Sequence, residues 1–148
     1  MNIDQKLDAE MKEAAKARDR VKLSTIRLMK TAIHNKEIDL KKKLNEQELL
    51  QVFSSMVKQR NDSIEQFDKG NRPELADVER REIEIIKRFM PEEMTETELQ
   101  DEIGKAIEKV GASGMRDMGN VMKELMPVIT GKADGKVVSE MVRKKLSS

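Results

Sequence analysis

The sequence predicts an all-α protein in two parts: an N-terminal helical domain of about four helices and a small C-terminal domain of three. Three observations lead there. The chain is 37% hydrophobic and 39% charged, with three Phe and no Trp or Tyr, which suits helices with charged faces better than sheets, where aromatic and β-branched residues are enriched. Apolar residues recur at three- and four-residue spacing along most of the length. Glycine and proline are sparse up to Met90-Pro91 and dense after Gly111, as expected where longer helices give way to short ones.

Taken in order, Ile3, Leu7, Met11 and Ala14 make a first amphipathic helix that ends near Arg18-Asp19. A second carries Ile26, Met29, Ile33 and Leu40, with Leu44 just beyond. Lys41-Lys42-Lys43 sits near its end, where positive charge complements the helix dipole. Asn45 opens the third helix, because Asn45-Glu46-Gln47-Glu48 reads as a capping box; its core face is Leu49, Val52, Phe53, Met56, Ile64 and Phe67. Gly70 stops it. Pro73 suits a new first turn, and Leu75, Val78, Ile86 and Phe89 carry the fourth helix to Met90-Pro91, where proline removes a donor and disfavours helix before it.

The first domain is therefore placed at residues 1–90 and a linker at 91–94. Thr95 with Glu98 makes a second capping box and opens a domain at 95–148. Leu99, Ile103, Ile107 and Val110 form its first seam, ended by Gly111. Gly114, Gly119, Pro127, Gly131 and Gly135 divide the rest into two short helices, Asp117 to Met126 and Asp134 to Leu146. No period of tens of residues repeats, which argues against a solenoid.

The composition also limits function. There is no cysteine, so disulfides, thiolate nucleophiles and cysteine-based metal sites are excluded. The N-terminus alternates charge rather than forming an apolar secretory segment, and no apolar run approaches the ~20 residues that a bilayer span requires. A soluble, cytoplasmic protein is the expectation. The formal net charge is only +1, yet its distribution is uneven: Lys and Arg outnumber Asp and Glu by 12 to 7 over residues 1–44 and by 7 to 4 over 113–148, and fall short by 10 to 17 between them. Either basic end could meet a polyanion; solvated helix faces with a chance bias would give the same counts.

Several runs in the C-terminal part, Val110-Gly111-Ala112-Ser113, Asp117-Met118-Gly119-Asn120-Val121-Met122 and Gly131-Lys132-Ala133-Asp134-Gly135-Lys136-Val137-Val138, resemble the YqeY family and the tail domain of the B subunit of the tRNA-dependent amidotransferase. Arg27-Leu28-Met29, Asn35-Lys36-Glu37-Ile38, Lys58-Gln59-Arg60, Gly70-Asn71-Arg72 and Phe89-Met90-Pro91-Glu92 extend the resemblance to free-standing YqeY proteins over nearly the whole chain. The resemblance implies a helical N-terminal domain followed by a module shared with the amidotransferase subunit. In that subunit the tail resembles a tRNA-contacting module, while glutamine hydrolysis and amide transfer, the carbon-nitrogen ligase chemistry, belong to other domains or subunits. The implied role is a non-catalytic tRNA-binding or tRNA-enzyme accessory protein. The alternative is a protein-interaction subunit docking on an amidotransferase or an aminoacyl-tRNA synthetase.

Read without the resemblance, Asp134 is placed to cap the last helix, with Lys132 and Lys136 on either side of its N-terminus. Amides, dipole and two ammonium groups there suit a phosphate. Arg143 and Lys144, with Lys145, extend the positive surface along that helix, and Arg116 and Lys123 join from the preceding segments. A plain turn and a soluble face would look the same, since a Gly-Lys loop lacks P-loop spacing. Lys41, Lys42 and Lys43 form a secondary phosphate candidate. Lys58, Arg60, Arg72, Arg80 and Arg81 are mixed with enough acids to read as salt-bridged. Gly119 within a helix predicts a close helix approach as compensation. The methionines Met115, Met118, Met122, Met126 and Met141 read as core filler.

Signs of an active site are missing. His34 is the sole histidine and lies on a predicted helix, no serine occupies a nucleophile turn, and the adjacent carboxylates Glu82 with Glu84 and Glu92 with Glu93 do not share a helix face. No catalytic residue, metal ligand or cofactor is expected.

Overall fold

The computed structural model describes residues 2–147. Their regular structure is helical throughout, in the order α1 (Ile3–Lys16), α2 (Arg20–Leu40), α3 (Glu46–Lys69), α4 (Pro73–Lys87), α5 (Glu96–Val110), a 3-10 turn (Met115–Asp117), α6 (Met118–Ile129) and α7 (Gly135–Ser147). Contacts divide the chain into two compact units, Met1–Met90 and Pro91–Ser148.

In the first unit the helix ends follow from local chemistry. Asn45 accepts the Glu48 amide at 2.9 Å and Glu48 returns the bond to the Asn45 amide at 3.0 Å, completing the box that opens α3. Asn2 and Gln5 do the same for α1. Arg18 turns the chain with φ 56°, and the Asp19 carboxylate then caps α2 through the Lys22 amide at 3.1 Å. Leu7, Ile26, Met29, Phe53 and Ile86 are fully buried at the centre, with Thr25 beside them, its hydroxyl donating to the Val21 carbonyl at 2.7 Å.

Three expected core residues of this unit lie outside it: Leu40 is 40%, Leu75 36% and Val78 45% exposed. Buried in α4 are Ala76, Ile83, Ile85 and Ile86. Val78 lies on the line of Ile85, seven positions on, Leu75 on that of Ile86, eleven on, and Leu40 on that of Ile33, seven back, but Leu75 and Val78 fall in the first two turns of α4 and Leu40 is the last residue of α2. Helical spacing accepted each of them because their phase is right; the packing does not reach those ends of the helices.

The second unit packs α5, α6 and α7 around Leu99, Ile103, Val121, Leu125, Ile129, Val138, Val142 and Leu146. Each side chain of this size is worth about 1.5–3 kcal/mol when fully buried. Thr95 accepts the Glu98 amide at 3.2 Å, but the reciprocal bond is missing, so the expected capping box is half formed. Gly111 ends α5 with φ 70°. The helix expected to stop at Met126 continues to Ile129 with Pro127 inside it; burial of Ile129 (1% exposed) and the Thr130 amide bond to the Met126 carbonyl at 3.0 Å offset the donor lost at the proline.

Two further expectations change here. A Cβ built on Gly119 would meet nothing within 4 Å, so no close helix approach explains that glycine. Met118, Met122 and Met141 pack against the core, whereas Met115 and Met126 are 44% and 42% exposed; these two sit where α6 begins and where its outer face turns to solvent.

Candidate nucleic-acid interface

The final helix is a two-sided element. Val138, Val142 and Leu146 are buried at four-residue intervals, which turns Lys136, Arg143 and Lys144 outward, all exposed. Lys136 and Arg143, seven residues apart, share one line of the surface and Lys144 lies about 100° further round. Ser147 ties this end down: its hydroxyl donates to the Arg143 carbonyl at 2.7 Å and lies 3.5 Å from Met115 Sδ. The 3-10 turn that carries exposed Arg116 is thereby held beside the Arg143 end of α7. Ser139 Oγ stands 4.0 Å from Met122 Sδ, which sets exposed Lys123, the next residue of α6, near the middle of α7.

Lys132 behaves differently. It is half-buried, its amide donates to the Ile129 carbonyl at 2.8 Å, and its carbonyl accepts the Met94 amide at 2.8 Å. The start of α7 is also less open than the sequence suggested. Asp134 caps it, accepting the Lys136 amide at 2.9 Å, so an incoming anion would share that end with a carboxylate. Glu140 lies four residues after Lys136, three before Arg143 and four before Lys144, and dilutes the positive line; helical spacing already contained that information. The loop ahead of α6 is organised by Asp117, whose carboxylate accepts the Ser113 amide at 2.9 Å; this bond, helped by the nearby Arg116 charge, holds its pKa below the ordinary aspartate value.

Among the described residues, ion pairs neutralise some cations in both units and leave others without one. Arg60 bonds Glu82 at 2.7 Å, Arg72 bonds Glu74 at 2.7 Å, Arg80 bonds Asp68 at 2.7 Å and Arg81 bonds Asp19 at 2.8 Å, so the arginines read as salt-bridged are so. Among the described residues Arg116, Lys123, Lys132, Lys136, Arg143 and Lys144 make no ion pair. Pairs elsewhere in their unit include Lys105 with Asp101 and Lys109 with Glu124, at 3.3 and 3.2 Å. Of the secondary candidates, Lys41 and Lys43 are exposed, while Lys42 is engaged by Glu48 at 3.1 Å. His34 is exposed on α2. Among the described residues no cluster of three or more His, Cys, Asp or Glu is placed to hold a metal ion, and no helix is long and apolar enough to cross a membrane.

The pattern of the YqeY family, described as Yqey-like protein, matches residues 4–146, nearly the whole chain. The chain belongs to the YqeY family. Among curated proteins this YqeY chain is similar to Altered inheritance of mitochondria protein 41, mitochondrial, of Candida glabrata, 39% identical over 93 residues that cover 62% of this chain and 51% of the relative. The same-named proteins of Vanderwaltozyma polyspora and Lachancea thermotolerans are 35% identical over 120 residues (76% of this chain, 64% of the relative) and 44% identical over 85 (57% and 46%). The YqeY chain thus spans about half the length of the curated relatives it matches. Their names correct one expectation. They are mitochondrial proteins, which overturns the cytoplasmic location read from the sequence; a lack of cysteine and of long apolar runs bears on disulfides and bilayer spans and does not tell one aqueous compartment from another.

Proposed function

We propose that this YqeY protein is a non-catalytic RNA-binding accessory protein whose α6–α7 surface contacts the phosphate backbone of tRNA. The observation that carries the reading is the set of exposed cations Arg116, Lys123, Lys136, Arg143 and Lys144, gathered on α6, α7 and the turn before them and, among the described residues, without ion pairs. An unpaired cation releases counterions from a polyanion with no salt bridge to break first. Resemblance to the tail of the amidotransferase B subunit supports tRNA as the polyanion. With no cysteine and a solitary histidine, the reading takes any amide-transfer chemistry to reside in a partner enzyme, an amidotransferase or an aminoacyl-tRNA synthetase.

The test is a gel shift of total tRNA with the full chain across a salt series. Binding should weaken linearly in log-log form as salt rises, by about 0.7–0.9 log units per decade for each phosphate neutralised. The folded triple variant Lys132→Glu, Lys136→Glu, Arg143→Glu should lose it. Unchanged binding by that variant would sink the assignment, and glutaminase activity from the purified chain would overturn the non-catalytic part.

A further inference from the structure

The outer face of α2 is a second, differently built surface. Ser24, Leu28, Thr31, Asn35 and Ile38 follow each other at alternating four- and three-residue steps, and all are exposed, with Leu28 at 46% and Ile38 at 59%. That spacing puts the exposed Leu28 and Ile38 on one line with polar Ser24, Thr31 and Asn35, a mixed face of the width a second helix covers. Beside it, at every seventh residue of α2, stand Arg20, Arg27 and His34, with Lys41 just past the helix end in a left-handed turn (φ 57°), all exposed and, among the described residues, all without ion pairs. On the opposite side of the line Thr25 is buried and Ala32 packs against the core, and only Asp39 is exposed. The core of the unit is served by the other side of α2, through Ile26, Met29 and Ile33, so this face has no structural duty within its own unit.

We propose that α2 docks an acidic amphipathic helix of a partner protein, laid along this line over about 20 Å, with its carboxylates against Arg20, Arg27, His34 and Lys41. Charge complementarity decides the occupant. A basic row beside a line that exposes Leu28 and Ile38 suits a partner helix with acids at the facing positions. A second copy of this chain does not supply such a row, since its own flanks carry the same four basic groups on one side and a single acid, Asp39, on the other. RNA fits less well: the half-exposed Leu28 and Ile38 offer nothing to a phosphate backbone, and the three Phe side chains on which bases could stack are buried or half-buried. The surface is independent of the RNA reading of the second unit.

Two synthetic helical peptides of three heptads test it, with Leu and Ala in the seam and Glu in one, Lys in the other, at the flanking positions. Fluorescence anisotropy against the full chain should show saturable binding of the Glu peptide, at least about tenfold tighter than the Lys peptide. Arg20→Glu with Arg27→Glu should reverse that preference. Leu28→Ser with Ile38→Ser should weaken the Glu peptide by about tenfold with the thermal unfolding midpoint unchanged, since both side chains are solvent-exposed. Equal binding of both peptides, or binding of neither, overturns the proposal. So does a face that binds single-stranded RNA or anionic vesicles through Arg20 and Arg27 while Leu28→Ser, Ile38→Ser has no effect, which would make it a polyanion surface instead.

Discussion

The Asp134 carboxylate accepts the Lys136 backbone amide at 2.9 Å, placing a negative group at the one helix start where the sequence invites a phosphate. Structure and binding therefore compete for the same amide. Asp134→Asn keeps a capping side chain, since Asn and Asp rank together at N-caps, and removes the charge. It should raise tRNA affinity two- to fivefold at low salt, an order-of-magnitude expectation for one repulsive charge near a phosphate, about 0.4–1 kcal/mol, with little change in melting temperature. A gel shift with parallel thermal melts checks this; affinity that stays constant would mean that phosphate does not approach the start of α7.

Asp117 organises the turn that presents Arg116. Its pKa is depressed chiefly by the Ser113 amide bond. A depressed carboxylate favours the folded state above its unfolded pKa, and that contribution disappears as pH falls through the lower, folded value. Melting temperatures followed from neutral pH down into the acid range should thus drop less steeply for Asp117→Asn than for the parent protein. Identical pH profiles would show that the bond contributes nothing.

Arg60 has a side chain only 12% exposed, with Glu82 Oε2 at 2.7 Å and Glu79 Oε2 at 4.0 Å from its Nε. Burial, then the Glu82 charge, pushes the Glu79 pKa up, against the pull of Arg60. Arg60→Met leaves both carboxylates without a cation and should cost about 1–3 kcal/mol at neutral pH. A raised carboxylate pKa penalises the fold when ionised, so the penalty should shrink as pH falls through it. Urea denaturation at neutral and mildly acidic pH measures the difference; a loss that does not depend on pH would assign the cost to packing.

Gly111 and Gly119 should respond oppositely to alanine. Gly111 holds φ 70° at the end of α5, where a Cβ costs about 1 kcal/mol. Gly119 sits in helical α6 with open space around its missing side chain, so Gly119→Ala should stabilise by up to about 1 kcal/mol. Chemical denaturation of the two single variants decides it, and a destabilising Gly119→Ala would point to a contact made at that backbone by a bound partner.

Much of the fold was legible because its signals are local. Asn45 and Glu48, Thr95, Pro73 and Gly111 mark helix ends through bonds and dihedrals between residues within four positions of one another; at the end of α3 the left-handed residue is Asn71 (φ 57°), one past Gly70. The misplacements share one cause. Leu40, Leu75 and Val78 satisfy a helical period and lie on the lines of buried Ile33, Ile86 and Ile85, but toward helix ends where the cover given by neighbouring helices stops; Pro127 was likewise overridden by tertiary burial, that of Ile129. At the candidate site, the positions of Lys136, Arg143 and Lys144 along one helix were readable. That Lys132 is half-buried was not, because it is held by Met94 and Ile129, one of them 38 positions away in the chain.

The sequence by itself determined the all-helical class, the family, most helix ends and the absence of cysteine chemistry, all properties of composition or of neighbours along the chain. Tertiary structure decided which cations are neutralised by carboxylates distant in the chain. Arg60, Arg80 and Arg81 meet carboxylates 12 to 62 positions away, and an ion pair depends on distance in space, with attraction falling from contact to a screened remainder over about 10 Å. Charge counts cannot carry that distance, and the folded chain does.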